Sequence, residues 1–407
     1  MKQKYFYIAL IISGLIFILV IILSGAIFKA IDFLPMRYAG EIMNQQGNIY
    51  DFDLIQQRID ADGHNTPAVQ YLYPPFLVAI TAPLHAFSDI SILIFWICLN
   101  AIAIIIGFGI LVKKLLPRQS LINILVFSGL LIFFPIWQNL YLGQINPLVF
   151  LFLVLGLIAM IKQKDIPSGI YLGIASLLKV FPLVFLGYAL FLKKWKIFWS
   201  GCITLFTGIL LTFILAGWNG LQNWWNYLIN ILPKIYFGNL EGWEPGNPYA
   251  GNLDVLWTTT IYSDAIGIII KLILISFFIF VFIKYFVKKS RLETKTMWLE
   301  ISFLCTMMVI SSAYNFHHYL IWLIIPMIYL TKIYCKHKQK ILLVALIICF
   351  IFTAWPPVLT EHMVPEDINK YIFPLINPGF FAVIIILTIL IWQYFKKEKT
   401  SSHDFHT

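Results

Sequence analysis

The sequence predicts an all-α polytopic membrane protein with about 10–12 transmembrane helices, as its composition, its long apolar runs and its charge clusters indicate. Of 407 residues, 60% are hydrophobic and only 12% are charged, and the mean hydropathy is +0.85. Soluble domains are about half apolar and about one quarter charged. Lysines and arginines form short clusters between the apolar runs, as they do in the cytoplasmic loops of membrane proteins.

Ten apolar segments are candidates to cross a bilayer, which takes about 20 residues of helix. They are residues 6–28, 90–112, 120–138, 146–162, 197–217, 265–287, 296–313, 319–335, 339–356 and 374–395. With the N-terminus inside, these crossings place every basic cluster on the cytoplasmic side. We therefore expect a single multi-pass domain over 1–397, with both termini cytoplasmic and a polar tail over 398–407.

Two further apolar stretches are unsuited to a simple crossing. Residues 74–87 are short and begin with two prolines, which favours a re-entrant or interfacial helix. Residues 165–192 have cytoplasmic lysines on both sides and Pro182 near their middle. Because both ends must then lie inside, this stretch favours a hairpin of two half-helices.

The polar residues that could carry chemistry collect on the external side. The largest external segments are a first loop over 29–73, which is acidic, and a second over 218–264. The internal loops are short and basic, and the sequence contains neither a P-loop nor a dinucleotide-binding fingerprint. Reactions driven by nucleotides on the cytoplasmic side are therefore disfavoured.

The net charge of +10 reflects membrane topology and does not predict a nucleic-acid partner, because most of the 29 lysines and arginines lie in the cytoplasmic clusters. The five cysteines are dispersed and form no paired motif of the kind that binds zinc. Asp51 and Asp53 have the spacing of an Asp-x-Asp motif, but they lie in a membrane-side loop. We expect no metal site.

Asp32 is the first candidate for chemistry, since it is the first acid of the chain and follows directly after the first apolar run. A carboxylate at the mouth of a membrane span is costly to desolvate, so it is a functional candidate. Such a group can serve as a general base for an acceptor hydroxyl. The alternative is an ordinary loop acid outside the bilayer. Asp51 and Asp53 are second choices, in a context that suggests a structural turn.

Four basic side chains are candidates to bind an anion. Lys179 lies in the middle of an apolar stretch, where a partner or an anion is expected unless the side chain snorkels to an interface. His317 and His318 lie at the outer end of an apolar helix, where imidazoles can donate to phosphate or simply anchor the helix. Arg37 follows Asp32 by about a turn and a half of helix and could orient this acid or contact a phosphate.

The second external loop is rich in tryptophan. Aromatic rings stack on sugars, but tryptophan also gathers at membrane interfaces whatever the function. We expect most of these tryptophans to lie at the interface and Trp243, whose neighbours are polar, to contact a sugar.

Four patches stand out in order along the chain. They are Asp32-Phe33 with Tyr38-Ala39-Gly40, Gly47-Asn48-Ile49-Tyr50-Asp51 and Tyr71-Leu72-Tyr73-Pro74-Pro75; Gly143-Gln144-Ile145-Asn146; Gly173-Ile174-Ala175-Ser176-Leu177-Leu178-Lys179-Val180-Phe181-Pro182; and Ser311-Ser312-Ala313-Tyr314-Asn315-Phe316-His317-His318-Tyr319. Together they resemble glycosyltransferase family 87, the bacterial polyprenyl-phosphate-dependent mannosyltransferases, which have a GT-C fold.

The resemblance implies an inverting glycosyltransferase of the plasma membrane that needs no cofactor. It would move a hexose, with mannose as the expected sugar, from a polyprenyl-phosphate carrier to a lipid or glycan acceptor on the external face. Asp32 would be the general base. The expected phosphate ligands are His317, His318, Lys179 and Arg37, and the expected substrate contacts are Tyr73, Gln144, Asn146 and Trp243.

A transporter or flippase of lipid-linked sugars is the alternative from a different functional class. It would use the same external cavity without making a bond. A transporter needs matched access from both sides of the membrane, whereas the polar candidates here gather on one side. A non-catalytic scaffold accounts less well for Lys179 and Asp32.

Overall fold

The computed structural model describes residues 31–63, 70–116, 121–237, 297–311, 317–354 and 378–403. Within these residues all regular structure is helical, with no strand, which confirms the all-α prediction. In chain order the helices are α1 (Phe33–Asn44), α2 (Phe52–Ala61), α3 (Pro75–Thr81), α4 (Asp89–Leu115), α5 (Leu121–Leu131), α6 (Phe134–Leu142), α7 (Asn146–Ile161), α8 (Asp165–Leu178), α9 (Leu183–Phe191), α10 (Trp195–Asn226), α11 (Leu232–Phe237), α12 (Met297–Ser311), α13 (Ile324–His337), α14 (Lys340–Ala354) and α15 (Pro378–His403).

Three helical segments among the described residues are long and apolar enough to cross a membrane, namely Ile90–Leu115, Trp195–Ile235 and His317–His337. The last one begins as a 3₁₀ helix over His317–Leu323 and continues as α13. Shorter apolar helices lie at the predicted crossings 146–162, 296–313, 339–356 and 374–395, whereas the predicted crossing 120–138 is divided between α5 and α6. The predicted spans 6–28 and 265–287 lie outside the described residues.

The described residues belong to two compact units. The first is formed from Met1–Ile110, Ile124–Leu131 and Ile136–Glu244, and the second from Leu111–Asn123, Ile132–Pro135 and Pro245–Thr407. In the second unit α14 packs against α15, while α12 packs against both α13 and α15. The candidate residues Asp32, Tyr73, Gln144, Asn146 and Lys179 all lie in the first unit.

The segment 29–73, predicted to be an external loop, contains two amphipathic helices among its described residues. Helix α1 buries residues such as Phe33 and Met36, and α2 buries Ile55 and Ile59, which are four positions apart on one helical face. The Asp51 side chain caps α2 by accepting a hydrogen bond of 3.0 Å from the backbone N–H of Leu54. Because one face of each helix is polar, neither forms the continuous apolar run from which the membrane spans were predicted.

The predicted break in 165–192 is confirmed. Helix α8 ends at Leu178, Lys179 is extended with φ −155° and ψ 134°, and α9 begins after Pro182. Proline lacks a backbone N–H and its ring clashes with the preceding turn, so the chain cannot continue as one helix there. Lys179 thereby occupies non-helical backbone between two short helices. The predicted interfacial segment 74–87 likewise forms a short helix, α3, followed by a 3₁₀ turn.

Helix α8 lies close to its neighbours because it presents glycine to them. It packs against both α7 and α10. A Cβ atom added at Gly173 would stand 2.7 Å from Cβ of Thr204 and 3.0 Å from the carbonyl oxygen of Gly201, both on α10. Small residues at a contact between two helices let the helix backbones approach each other closely. This contact fixes the end of α8, and with it the position of Lys179.

The segment 218–264, predicted to be a second external loop, begins as helix. The predicted span 197–217 ends at Gly217, which has φ 60° and ψ −149°, a conformation that favours glycine. After this kink α10 continues to Asn226, and helical structure extends through a π turn and α11 to Phe237. Residues 218–237 are therefore helical within the segment predicted as a loop.

The extension of α10 is hydrogen-bonded to the connection between α1 and α2. Asn223 accepts a hydrogen bond of 3.1 Å from the Ile49 backbone N–H and donates one of 3.2 Å to the Gly47 carbonyl. Asn219 donates to the Gln46 carbonyl at 2.9 Å. These bonds tie the α1–α2 connection to α10 and so hold the first external segment in place.

Candidate active site

Asp32 is held at the start of α1 by a turn that lies over a hundred residues away in sequence. Its backbone N–H donates to the carbonyl of Leu142 at 3.0 Å, and its Oδ2 accepts a hydrogen bond of 2.6 Å from Nε2 of Gln144. Leu142 is the last residue of α6, and Gln144 lies in the connection between α6 and α7. The carboxylate is therefore fixed at its backbone and at its side chain by the same short segment.

The α6–α7 turn is itself closed by specific contacts. Gly143 has φ 73°, which a residue with a Cβ rarely adopts. Its carbonyl accepts a hydrogen bond of 2.8 Å from the indole Nε1 of Trp96, a residue that is 3% exposed. The backbone N–H of Gln144 donates to the carbonyl of Asn139 at 2.8 Å. This turn presents the Gln144 side chain to Asp32.

The Gln144 carboxamide joins Asp32 to Tyr73 and Lys179. Its Oε1 accepts a hydrogen bond of 2.7 Å from the Tyr73 hydroxyl and a longer contact of 3.5 Å from Nζ of Lys179. An ionised carboxylate only accepts and an ammonium only donates, so the amide can face in one direction alone. Gln144 therefore links Asp32, the candidate general base, to Lys179, the residue expected to bind an anion.

Lys179 is buried, with 6% exposure, and does not extend to solvent. Its Nζ donates to Oδ1 of Asn146 at 2.8 Å and lies 5.3 Å from the centre of the Tyr73 ring. A cation over an aromatic face is stabilised by the ring quadrupole. The partner that the sequence led us to expect for this lysine is thus a set of amide oxygens and an aromatic ring.

The environment of Asp32 raises its pKa. Burial raises the pKa of this carboxyl to about 6, while the hydrogen bond from Gln144 and the charge of Lys179 act in the opposite direction. Asp32 lies outside the three candidate spans. A base is most effective when its pKa is near the working pH, and Asp32 is close to that condition while still mostly ionised at pH 7.

A cluster of tyrosines supports Tyr73. The Tyr50 hydroxyl donates to the Tyr73 carbonyl at 2.8 Å. Its ring centre lies 5.6 Å from that of Tyr71 and 5.9 Å from that of Tyr227. Tyr50 and Tyr71 belong to the first of the four sequence patches, and no feature of the sequence near Tyr227 indicates its place in this cluster.

The other predicted residues lie in several places. Arg37 is on α1, with its guanidinium 5.2 Å from the centre of the Tyr38 ring. His317 and His318 belong to the second unit and are each 3% exposed. Nε2 of His317 has no hydrogen-bond partner among the described residues. Trp243 lies outside the described residues.

The two runner-up acids are exposed. Asp51 serves as the cap of α2, and Asp53 follows in the first turn of that helix. Both positions suit acids near a helix N-terminus. Within the described part of the chain, no group of three or more His, Cys, Asp or Glu side chains is arranged to hold a metal ion.

Comparison with known families gives one match. The sequence model of glycosyltransferase family 87 matches residues 71–312, which is more than half of the chain. The matched range includes Tyr73, Gln144, Asn146 and Lys179, together with Trp243. Asp32 and Arg37 precede it, and His317 and His318 follow it. A search of curated proteins finds no relative that matches the chain.

Proposed function

The chain belongs to glycosyltransferase family 87 and is a membrane glycosyltransferase, and from this we propose that it is a hexosyltransferase that uses a polyprenyl-phosphate donor. Mannose is the sugar we expect, and a lipid or glycan is the expected acceptor. The reaction would take place on the external face of the cell membrane, with both chain termini in the cytoplasm. The observation that carries the proposal is the hydrogen-bonded group in which half-buried Asp32 joins the buried side chains of Gln144 and Lys179.

Asp32 is proposed to act as the general base. Its carboxylate accepts the proton of the acceptor hydroxyl while the hydroxyl oxygen attacks the anomeric carbon. The bond between this carbon and the phosphate oxygen breaks on the opposite side, and polyprenyl phosphate leaves with the electron pair. Attack from the opposite face inverts the anomeric centre, so a β-linked donor gives an α-linked product. Gln144 would hold the carboxylate in place through its hydrogen bond of 2.6 Å.

Lys179 is proposed to bind the phosphate that leaves. Negative charge develops on that phosphate in the transition state, and a fixed cation stabilises it strongly where water is scarce. The ammonium is held between the Asn146 oxygen and the Tyr73 ring, which makes it a preorganised ligand. Arg37, His317 and His318 are proposed as further phosphate ligands on the grounds of the family resemblance, and Trp243 as a sugar contact.

No cofactor is required in this scheme, because the lipid phosphate is already an activated leaving group. Tyr73, Gln144 and Asn146 are proposed to line the pocket and to hold the two charged residues apart at a constant separation. Membership in a glycosyltransferase family makes the transporter alternative the weaker reading of the same site.

The proposal is tested by transfer of radiolabel from polyprenyl-phosphate-mannose to lipid acceptors in membranes that contain the full chain. Asp32→Asn should lower transfer by about 10²–10⁴-fold, which is the usual contribution of a general base. Asp53→Asn, an exposed acid in the same external segment, is the matched control and should leave transfer unchanged. Equal amounts of inserted protein must be verified for each variant.

Full transfer by the Asp32→Asn variant would remove Asp32 from the mechanism. Loss of transfer in Asp53→Asn alone would indicate that Asp53 on α2, and not Asp32, is the general base. Wild-type membranes that transfer no sugar from any polyprenyl-phosphate donor, yet move the lipid-linked sugar across the bilayer, would overturn the enzyme proposal in favour of a flippase.

A further inference from the structure

A buried asparagine lies behind the Lys179 site and has no role in the scheme above. Asn139 is in the last part of α6 and is fully buried, with 0% exposure. Its Oδ1 accepts a hydrogen bond of 2.8 Å from Nδ2 of Asn146. Asn146 is also 0% exposed, and its Oδ1 accepts the hydrogen bond of 2.8 Å from Lys179. The three side chains form a continuous chain of donors and acceptors.

The direction of this chain follows from the chemistry of its ends. Burial lowers the pKa of Lys179 to about 7, and the charge of Asp32 opposes this shift and favours the ammonium. The ammonium can only donate, so the oxygen of Asn146 faces it. The amide nitrogen of Asn146 then points the other way, into the interior, where it needs an acceptor. Oδ1 of Asn139 supplies that acceptor. Without it, Asn146 would keep a buried N–H₂ group unsatisfied on that side, and a rotated amide would present N–H to the ammonium.

The backbone of Asn139 supports the other half of the site. Its carbonyl accepts the hydrogen bond of 2.8 Å from the Gln144 N–H and so closes the turn that carries Gln144 to Asp32. This backbone contact is independent of the side chain at position 139. A substitution there therefore changes the support of Lys179 and leaves the backbone support of Gln144 in place.

We propose that Asn139 is a positioning residue, which sets the orientation of the Asn146 amide and thereby the place of the Lys179 ammonium. In this proposal Asn139 contacts neither the sugar donor nor the sugar acceptor. The inference rests on the proposed function in so far as Lys179 is taken to bind the donor phosphate. The geometry of the Asn139–Asn146–Lys179 chain is independent of that function.

The test compares two substitutions of similar size. Asn139→Leu removes the acceptor, while Asn139→Asp retains an oxygen for the Asn146 N–H₂ group. Asn100→Leu is the matched control, because Asn100 is 1% exposed on α4 and donates to the Trp96 carbonyl of its own helix. Transfer is measured in membranes with the concentration of polyprenyl-phosphate-mannose varied, and the acid side of the pH profile is recorded for each variant.

For Asn139→Leu we expect a raised KM for the donor and a kcat/KM about 10–100-fold lower, the range known for residues that orient metal ligands from behind. The acid limb should also move to higher pH, because a displaced Lys179 no longer favours the ionised form of Asp32. Asn139→Asp should restore most of both properties, and Asn100→Leu should match wild type. A purely structural role would lower the amount of folded protein and leave KM and the pH profile unchanged, which would overturn the proposal.

A second measurement does not depend on activity. Competitive labelling with acetic anhydride, read by mass spectrometry, reports the reactivity of Lys179 relative to the exposed Lys162. We expect a change of several-fold at Lys179 in Asn139→Leu and little change in Asn139→Asp. Unchanged labelling in Asn139→Leu would refute the positioning role. Altered labelling together with a wild type that transfers no sugar would support the positioning role while the proposed function fails.

Discussion

Gln144 donates a hydrogen bond of 2.6 Å to Asp32 across 112 residues of sequence. The same carboxamide accepts a hydrogen bond of 2.7 Å from Tyr73 and a contact of 3.5 Å from Lys179. The neutral side chain of Gln144 therefore lies between Asp32 and Lys179 and contacts both of them. The orientation of the Gln144 amide is determined by Asp32, Tyr73 and Lys179 together. Loss of any one of these contacts therefore weakens the hold on the other two.

The first prediction concerns the pH dependence of the wild type. Burial raises the pKa of Asp32 to about 6, so kcat/KM for transfer should fall on the acid side with a midpoint near that value. A base must be ionised to act, and protonation of Asp32 abolishes its function. A pH series of transfer rates between pH 5 and about pH 8 checks this. A flat profile through this range would contradict the assignment.

The same shift has a consequence for stability. A carboxyl whose pKa is higher in the folded state than in the unfolded state favours folding when protonated, and this contribution is lost as the pH rises through about 6. Ionised Asp32 is therefore unfavourable for folding at neutral pH. Asp32→Asn should retain or raise the melting temperature, so its loss of activity can be separated from misfolding.

The second prediction concerns Gln144→Glu. This variant keeps the size and the acceptor oxygens for Tyr73 and Lys179, but it faces Asp32 with a second carboxylate. Two carboxylates in such contact cannot both ionise, so the pair should retain a proton to higher pH. We expect the acid limb of the transfer profile to rise by about one to two pH units, which would lower the rate at pH 7 by about 2-fold to 10-fold.

Gln56→Glu is the matched control for this variant. Gln56 donates to Oδ1 of Asp60 at 2.7 Å, which reproduces the Gln–Asp contact on the exposed surface of α2. Water screens the charges there, so no change in the transfer profile is expected. An identical effect of both substitutions would mean that the change acts through net charge and not through Asp32.

The third prediction concerns Trp96→Phe. Trp96 donates to the Gly143 carbonyl at 2.8 Å, and its ring centre lies 5.8 Å from that of Phe33. Phenylalanine keeps much of the ring packing and removes the donor, which should lower the free energy of unfolding by about 1–3 kcal/mol. A looser α6–α7 turn should also weaken the Gln144–Asp32 bond, so transfer should fall about 10-fold and the acid limb should move to higher pH.

Trp298→Phe supplies the comparison for Trp96→Phe, since Trp298 is 6% exposed and lies in the second unit. It makes the same change in volume at a buried position. Thermal unfolding and the transfer profile are measured for both variants. Equal loss of stability with a shift of the acid limb in Trp96→Phe alone is the expected result, and a shift in both would refute the role of the indole donor.

The fourth prediction concerns the contact between α8 and α10. Gly173→Ala places a Cβ 2.7 Å from Cβ of Thr204, so the two helices must separate. Overpacking of this kind destabilises by about 1–3 kcal/mol. Gly187→Ala on α9 is the matched control, because a Cβ there meets nothing within 4 Å. Melting temperatures should fall for Gly173→Ala alone, and transfer should fall with them because α8 ends next to Lys179.

Much of the site could be predicted from single residues. Asp32 and Lys179 were identifiable because an ionisable group in or beside an apolar run is energetically costly and therefore conspicuous. Pro182 identified the break beside Lys179 because proline lacks a backbone N–H. The predicted roles of Arg37, His317 and His318 stay predictions, and Trp243 lies outside the described residues.

Other features could not be predicted because they depend on pairs of residues distant in sequence. Trp96 and Gly143 are 47 residues apart, and Ile49 and Asn223 are 174 apart. Neither residue of such a pair is unusual by itself. The helices within 29–73 and 218–237 were not predicted because they are short or polar and form no long continuous apolar run, and tertiary contacts stabilise them.

The sequence by itself determined the class of the protein, the main apolar helices and the identity of the costly charges, because desolvation of apolar and charged groups depends chiefly on residue type and local pattern. The tertiary structure alone decided that Asp32 and Lys179 share one hydrogen-bonded group and that Gln144, Asn146 and Asn139 support it. Hydrogen bonds are directional and short, so which amide serves which charge depends on how the helices pack.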